Sequence, residues 1–530
     1  MHKPVVLTIL SAIVIALISM PSVYADLIDD AQDNISYAGM TFAIYGDSDA
    51  ELIEVEDPSL ETLVIPATFE KDGQTYNVIG IDGTNIYHDV VNRMDIPSTV
   101  TYVRGGFYGL SALEWIEVDH SNRHLCSVDG VLYDINMTTI LVHPMVKPDR
   151  TYDMPDTVTT ISEYCFAGSD KLESITISDR IVIIGKYAFD MCTSLENVNH
   201  DGAVNHLPDS LTIIAEGAFN NCRCLTDVKL PESLMVIGSY AFSECRSFTS
   251  LYIPPEVAYI GTGFLNDCIN LESIEVSEIN SYYESNEGVL YYSNSSSTSL
   301  HTYPCAKPDK SFRISDEVNA IEPMAFAGTT HLEKLTLSNS MKTIGPYALF
   351  GCETLREVYI PNSVMSIDHM AFSMCSNLAI VKGGNNVNVI GLMAFNSTGL
   401  TAAFLPDALR VIEPHAFSRC YSIIDVTLSE SIESIGNGAF NECLNLTTIT
   451  ILGIDTALAD GSLCVGTEDN VVEILVNIPS GMHLPDNVFD EYTIAHVSII
   501  GEEPYPYENL IGVAICLLVL FFIIRLFREV

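Results

Sequence analysis

Residues 207–230 read LPDSLTIIAEGAFNNCRCLTDVKL, residues 230–253 read LPESLMVIGSYAFSECRSFTSLYI and residues 360–383 read IPNSVMSIDHMAFSMCSNLAIVKG. With few departures they share the pattern (L/I)P-x-x-(L/V)-x-x-I-x-x-x-A-F-x-x-C-x-x-L-x-x-(V/I)-x-(I/L), and the second begins 23 residues after the first. A unit of this length cannot bury its own apolar residues. Successive units must therefore stack and bury these residues against one another.

The phenylalanine position of the pattern shows how far the repeat extends along the chain. Most successive copies are 23 residues apart, and two longer steps measure 30 and 61 residues. This regularity predicts a β-rich leucine-rich-repeat solenoid of about 12 coils over residues 96–500. The position is occupied by Phe166, Phe189, Phe219, Phe242, Leu265, Phe326, Leu349, Phe372, Phe395, Phe417 and Phe440, with Phe107 in a degenerate earlier copy.

Each part of the pattern predicts a local structure. The alternation in L-x-x-V-x-I is typical of a half-buried strand, so one strand per coil should join a parallel sheet. The I-G-x-x-A-F part should turn back as short turns or as helical or 3-10 segments, with glycine where the backbone turns tightly. Proline after the strand should end its hydrogen-bonding run.

The cysteines follow the same period. Eight of the 14 cysteines lie three residues after the phenylalanine position, which predicts a column of small buried side chains. A metal or redox site would instead require CxxC pairs, and Cys222-Arg223-Cys224 is the nearest approach to one. The eight are Cys192, Cys222, Cys245, Cys268, Cys352, Cys375, Cys420 and Cys443.

Over residues 58–500 the repeated unit closely resembles the BspA-like leucine-rich repeats of microbial surface proteins. Two DGVLY-like segments, at Asp129–Tyr133 and Glu287–Tyr291, are similar to the β-hairpins that interrupt repeats in that family. We expect hairpin insertions at about 119–153 and 277–314. The resemblance implies a non-catalytic protein of the cell surface, in some members an adhesin for host or matrix proteins or other cells. It implies neither catalytic residues nor a cofactor.

The two ends of the chain differ from the repeats. Residues 1–25 have the basic start, apolar core and small-residue site of a signal peptide, although an uncleaved anchor helix is the alternative. Residues 26–95 are interpreted as an N-terminal β-rich cap. After a linker at 501–509, residues 510–527 are predicted to form a single transmembrane helix with Arg525 at its inner edge. This arrangement would hold the solenoid outside the plasma membrane.

The charge of the chain limits its partners. It has 69 acidic and 24 basic residues and a formal net charge of −45. Such a surface repels nucleic acid and anionic lipid headgroups, so we expect no nucleic-acid partner. The acidic residues are spread along the chain, which favours a role in solubility over a cluster for cationic ligands.

Aromatic residues are the candidate ligand contacts. One position of each predicted strand faces solvent between two apolar residues, and Tyr252, Tyr359 and Phe404 occupy it in three coils. Trp115, the single tryptophan, lies on an early strand. Exposed aromatic residues on a regular scaffold are typical contacts for a protein or glycan. The alternative is the intrinsic preference of aromatic residues for strands.

Two other surface features have the composition of modification or metal sites. Asp47-Ser48-Asp49-Ala50-Glu51 has alternating carboxylates suited to calcium, but it lacks the glycine of an EF-hand loop and is interpreted as a solvated loop. We predict no metal site. N-glycosylation sequons occur at Asn34, Asn136, Asn294, Asn396 and Asn445.

The sequence supports two hypotheses for function. The first is an extracellular protein or glycan binding module, attached to the membrane by its C-terminal helix. The second is a structural envelope or surface-layer protein in which the acidic rod acts as a spacer. An enzyme is not expected, because the chain has no HExxH, GxSxG or phosphate-binding GxxxxGK(S/T) motif.

Overall fold

The computed structural model describes residues 33–294 and 297–500. The predicted signal peptide and the predicted membrane helix lie outside these residues. Within this part of the chain, no helix has both the length and the apolar character needed to cross a bilayer. The chain divides into two compact units. The first runs to Lys334 and includes Tyr347–Thr354, and the second comprises Leu335–Pro346 and continues from Leu355.

The N-terminal part of the first unit contains strands and one 3-10 helix at Gly83–Asn85. The strands are β1 (Asp33–Tyr37), β2 (Met40–Tyr45), β3 (Asp49–Val55), β4 (Thr62–Val64), β5 (Thr68–Lys71), β6 (Gln74–Asp82), β7 (Arg93–Ile96), β8 (Tyr102–Arg104) and β9 (Trp115–Val118). One sheet has the order β1-β2-β3-β6-β5, and β8 pairs with β6. The parallel sheet β4-β7-β9 begins the repeats.

The rest of the first unit consists of short strands. They are β10 (Leu125–Val128), β11 (Val131–Asp134), β12 (Thr139–Val142), β13 (Thr151–Asp153), β14 (Thr160–Ile161), β15 (Ser174–Thr176), β16 (Ile183–Ile184), β17 (Asn197–Asn199), β18 (Ile213–Ile214), β19 (Val236–Ile237), β20 (Ser250–Ile253), β21 (Tyr259–Ile260), β22 (Ser273–Val276), β23 (Tyr283–Asn286), β24 (Val289–Ser293), β25 (Thr298–Thr302), β26 (Ser311–Arg313) and β27 (Ala320–Ile321).

The second unit continues the same alternation, and its first strand starts on the last residue before the boundary. The strands are β28 (Lys334–Thr336), β29 (Thr343–Ile344), β30 (Glu357–Ile360), β31 (Ser366–Ile367), β32 (Ile380–Gly383), β33 (Val389–Ile390), β34 (Val411–Ile412), β35 (Asp425–Leu428), β36 (Ser434–Ile435), β37 (Thr448–Ile451), β38 (Ala457–Leu458), β39 (Val472–Ile478) and β40 (Thr493–Ile499).

Most turns of the chain contain two strands, where the sequence predicts one. The front ladder consists of the strands formed by the V-x-I end of the L-x-x-V-x-I part, such as β20 and β22, which pair in parallel. The back ladder consists of two-residue strands at the repeat isoleucine, such as β19 and β21. Because one turn pairs with the next at the same repeat position, paired strands of a ladder turn the same face towards the core.

The number of turns is a correction to the sequence analysis. The described residues make about 18 turns of about 23 residues, where we expected about 12 coils. The additional turns have a front strand but lack the A-F-x-x-C part by which the repeats were counted. Their front strands are β4, β7, β13, β26, β39 and β40.

The A-F segment of each turn forms paired tight turns, which is the first of the two predicted alternatives, and the described repeats contain no helical segment there. The residues two before and two after the phenylalanine adopt left-handed backbone, as at Tyr187 (φ 52°) and Met191 (φ 58°). Between them, the Phe189 amide donates to the Ala218 carbonyl of the next turn at 2.8 Å. Hydrogen bonds between turns thus replace the internal bonds that a helix would make.

Glycine at the I-G position has a different role from the one that we expected. Gly238 has no left-handed φ, but an added Cβ would lie 2.4 Å from the Glu216 backbone nitrogen of the preceding turn. The backbones of neighbouring turns therefore approach too closely at this position for a side chain. Close packing of turns, and not tight turning, selects glycine here.

The predicted column of buried cysteines is confirmed, and the structure explains its chemistry. Cys245 is fully buried, and its thiol donates to the Phe219 carbonyl of the preceding turn at 3.3 Å. Cys443 does the same to Phe417 at 3.1 Å. Burial raises the pKa of both thiols. Thr398 occupies the same position in a turn without cysteine, but its hydroxyl donates to the carbonyl of Phe395 in its own turn, at 2.9 Å. The column therefore satisfies carbonyl groups in a dry core.

The two DGVLY-like segments form antiparallel hairpins, β10-β11 and β23-β24. Each hairpin adds a third strand, β12 or β25, which pairs in parallel with the back ladder at β14 or β27. The insertions are thus part of the stack.

The acidic stretch at residues 47–51 is not the solvated loop that the sequence indicates. Asp49 and Glu51 lie in β3, and Glu51 is completely buried. Its carboxylate accepts hydrogen bonds from Arg104 Nε at 2.8 Å and from the Tyr45 hydroxyl at 2.9 Å. The Asp82 carboxylate lies 3.3 Å from the same guanidinium group. This cluster, which we call the Glu51 cluster, joins β2, β3, β6 and β8.

Candidate binding face

The front ladder presents three of the four predicted aromatic residues to solvent. The exposed fractions are 36% for Trp115 on β9, 44% for Tyr252 on β20 and 45% for Tyr359 on β30. The flanking residues of the same strands are buried, as at Leu251 and Ile253. The alternation therefore places each aromatic side chain on the outer side of its strand, where a ligand can contact it.

Trp115 is held in place by its neighbours. Its indole Nε1 donates to a Glu117 carboxylate oxygen at 3.0 Å. The Lys147 ammonium lies 5.8 Å from the indole ring centroid, and it also pairs with Asp149 at 2.8 Å. The ring covers Gly130 in the turn of the first hairpin, where an added Cβ would meet Cε3 of the indole at 2.7 Å. Much of the Trp115 surface is thus committed to contacts within the chain.

The two tyrosines have charged neighbours of opposite sign. Tyr252 lies beside Glu275 in the register of β20 and β22. Tyr359 lies beside Lys382 in the register of β30 and β32, and the Lys382 ammonium pairs with Glu357 at 2.7 Å. Each tyrosine therefore combines an apolar ring, a hydroxyl and an adjacent charge, which suits contacts with protein or glycan surfaces.

Phe404 is a correction to the sequence analysis. We expected it on the exposed position, but only 8% of it is exposed, and residues 402–405 form no strand. Its ring lies 6.0 Å from that of Phe395. It also fills the space beside Gly384, where an added Cβ would lie 2.8 Å from Phe404 Cζ. The sequence does contain a sign of this difference, because Phe395 and Phe417 are 22 residues apart and most steps are 23. When one residue is missing from an alternating segment, the residues after the gap exchange their inward and outward positions.

Four of the five sequon asparagines, Asn34, Asn136, Asn294 and Asn445, are exposed. Asn396 is half-buried, and its side-chain amide donates to the Ser418 carbonyl of the next turn at 3.3 Å. A glycan on Asn396 would compete with this contact. Over the described residues, no group of three or more histidine, cysteine or acidic side chains could hold a metal ion.

Ion pairs between successive turns were missed by the sequence analysis. Arg150 pairs with Glu173 at 2.5 Å, and Arg419 pairs with Glu442 at 2.9 Å, each 23 residues apart. The detectable signal was a basic residue followed one repeat later by an acidic one. Both pairs are solvent-exposed and therefore contribute little stability, but they offset part of the acidic charge.

Comparison with known proteins places the repeats in a family. The sequence profile described as "BspA type Leucine rich repeat region (6 copies)" matches residues 150–208, 203–304, 303–424, 344–464 and 394–499. These matches extend from residue 150 to residue 499, which is more than half of the chain. No curated protein sequence matches the chain.

Several solved structures are similar in fold. A leucine-rich repeat protein from Eubacterium ventriosum is 22% identical, with a TM-score of 0.50, and covers 63% of this chain and 93% of its own. A leucine-rich cell surface protein from Faecalibacterium prausnitzii is 19% identical, with a TM-score of 0.37, and covers 90% and 97%. The pneumococcal vaccine antigen PcpA is 16% identical, with a TM-score of 0.33, and covers 90% and 100%.

Proposed function

Because the chain belongs to the BspA-type leucine-rich-repeat family, we propose that it is a non-catalytic binding protein displayed on the cell surface. Its ligand is an extracellular protein or glycan, which contacts the front ladder. The predicted helix at 510–527 attaches it to the plasma membrane, with the repeats outside.

The observation that carries the proposal is the placement of Tyr252 and Tyr359. Both are close to half exposed on strands whose neighbouring residues are buried. Stability of the fold does not require a large aromatic ring at this position, because Thr427 and Thr450 occupy it in other turns. Rings held on a rigid ladder lose little conformational freedom on binding and are typical hot-spot residues.

We expect Tyr252→Ala and Tyr359→Ala, made separately, each to weaken binding of the ligand several-fold, because each change removes a preorganised aromatic contact. The measurement starts by capturing surface proteins and glycans of neighbouring cells on the full-length chain. The dissociation constant of the captured ligand is then determined for each variant.

The matched control is Tyr259→Ala. Tyr259 is also 44% exposed, but it lies on β21 of the back ladder. Its removal should leave the dissociation constant unchanged. Equal losses from Tyr252→Ala and Tyr259→Ala, or no loss from the front-ladder variants while they remain folded, would refute the proposed contact face.

The location can be tested through Cys224, which is the exposed cysteine among the described residues. A maleimide that cannot cross membranes should label intact cells that make the protein, and Cys224→Ser should remove most of this label. The repeat-column thiols are buried and have raised pKa values, so they should react only after unfolding. Labelling that appears only after the cells are permeabilised would contradict surface display.

A structural envelope function is the second candidate, and the end of the second unit favours it. The core-facing side of β40 carries Val497 and Ile499, which are 52% and 36% exposed. Within the described residues, β40 pairs with β39 and with no following strand. Ordered self-assembly of the purified chain, without capture of a ligand, would favour this second function.

A further inference from the structure

The two hairpin insertions are built on one frame. Asn122 Nδ2 donates to the carbonyls of Pro97 and Val100, and Asn280 Nδ2 makes the same pair of bonds to Pro254 and Val257. The bond from Ile116 N to Gly130 O measures 3.0 Å, and its counterpart from Ile274 N to Gly288 O measures 2.9 Å. Positions in the two insertions can therefore be compared one by one.

Each insertion also contains a lysine whose side chain is largely buried. Lys147 pairs with Asp149 at 2.8 Å, and Lys307 pairs with Asp309 at 3.0 Å. The exposed fractions of the two lysine side chains are 10% and 11%. In both insertions, the lysine ammonium group is thus held by the carboxylate of an aspartate two residues later in the chain.

The insertions differ at one position of the front ladder. In the first, Trp115 lies over Gly130, near Lys147, and donates its indole N–H to Glu117. In the second, β22 reads Ser-Ile-Glu-Val where β9 reads Trp-Ile-Glu-Val, so that Ser273 replaces the tryptophan and Glu275 corresponds to Glu117. The glutamate and the lysine are kept, and the indole is missing.

A pocket lies at the place of the missing indole. It has a volume of about 380 Å³, and its lining includes Glu272, Ser273, Glu275, Glu287, Gly288 and Lys307. Above Gly288 the nearest side-chain atom to an added Cβ is Cβ of Ser273, at 3.0 Å, and no ring covers it. Tyr252 is the neighbour of Glu275 in the register of β20 and β22, and it does not itself line the pocket.

We propose that this pocket, the Ser273 pocket, binds the indole ring of a tryptophan side chain on a protein partner. Trp115 supplies the template for the bound state. The ring lies over Gly288, its N–H donates to the Glu275 carboxylate, and the Lys307 ammonium faces the ring. A polypeptide source is favoured because Glu272 and Glu287 at the rim attract basic residues beside the tryptophan. The inference rests on the proposed binding function and names the kind of residue that the front ladder recognises.

The test uses the full-length chain and two probes, a blocked Lys-Trp-Lys peptide and free indole, titrated by ligand-observed nuclear magnetic resonance. The peptide should bind with a dissociation constant of about 1 mM or below, as expected for one small aromatic group. Ser273→Trp should weaken it at least tenfold by filling the pocket from within. Trp115→Ser should create a second pocket and raise the number of peptide sites from one to two.

Matched variants separate the pocket from effects on folding. Ser273→Ala should bind as the wild type does, because it fills nothing. Glu275→Gln, which changes neither size nor packing, should weaken the peptide several-fold by removing the charged acceptor. Glu275→Gln keeps the test decisive if Ser273→Trp fails to fold.

Wild-type affinity in folded Ser273→Trp, or no binding by either wild type or Trp115→Ser, would overturn the proposal. Free indole that binds as tightly as the peptide would overturn the assignment to a protein partner. The proposed binding function is tested separately by the Tyr252 and Tyr359 variants. If the peptide fails while those variants still reduce ligand capture, only the Ser273 pocket is rejected.

Discussion

Replacing Phe395 by alanine is expected to lower the free energy of unfolding by about 4 kcal/mol, the usual cost of deleting a fully buried phenylalanine side chain. Phe395 has no exposed surface. Its ring lies between those of Phe372 and Phe417, with centroids 5.0 and 5.4 Å away and planes within 4° of parallel. Each turn contacts only its neighbours, so the change removes packing on both sides of one turn. Urea unfolding followed by circular dichroism measures the loss.

Phe395→Leu is the matched control for this prediction. Leu265 and Leu349 occupy the same column in other turns and are buried there. The leucine variant should therefore lose only about 1 kcal/mol, because the column accepts this shape with small adjustments. If the alanine and leucine variants lost the same amount, the ring stack would not be the source of the stability.

Replacing Glu51 by alanine should cost about 3–5 kcal/mol, because it leaves the Arg104 charge without its main partner in a site that excludes most water. Arg104 has 14% of its side chain exposed and Glu51 has none. Burial raises the pKa of Tyr45 to about 12, and the hydrogen bond to Glu51 adds to this effect. The tyrosine therefore stays protonated, so that it donates to Glu51 over the ordinary pH range.

Glu173→Ala provides the control for the Glu51 cluster. It breaks the exposed pair with Arg150, in which 74% and 41% of the two side chains are exposed, and should cost at most about 1 kcal/mol. Unfolding by urea should separate the two variants clearly. Equally small losses would mean that the N-terminal sheet does not depend on its buried ion cluster.

Many features of the repeats can be predicted from the sequence, because they depend on contacts between equivalent positions of neighbouring turns. Phenylalanine and cysteine recur at fixed spacing, so that a residue packs against its own equivalent one turn later, and this predicted the buried columns. Alternation within L-x-x-V-x-I predicted that Tyr252 and Tyr359 face outwards. Trp115 lies on β9, an early strand as the sequence indicated, and is 36% exposed.

Other features required the structure because they join positions that are not equivalent. Phe404 turns inwards because one residue is missing from its turn and Gly384 leaves room for the ring. From the sequence, Glu51 is predicted to belong to an acidic loop. Only the structure shows that Arg104, 53 residues later in the chain, donates a hydrogen bond to its carboxylate. The Ser273 pocket is recognised only when its position is compared with the one that Trp115 fills in the other insertion.

The sequence by itself determined the period, the stacked β-rich architecture and the residues of its core, because each turn repeats the contacts of its neighbours. Only the tertiary structure decided the number of turns, the back ladder, the left-handed turns around the phenylalanine and the neighbours of each exposed aromatic ring. The physical reason is that periodicity encodes contacts between identical positions. Contacts between different repeat positions depend on the register in which the chain rejoins the stack after an insertion or a deletion. The repeat pattern alone does not give this register.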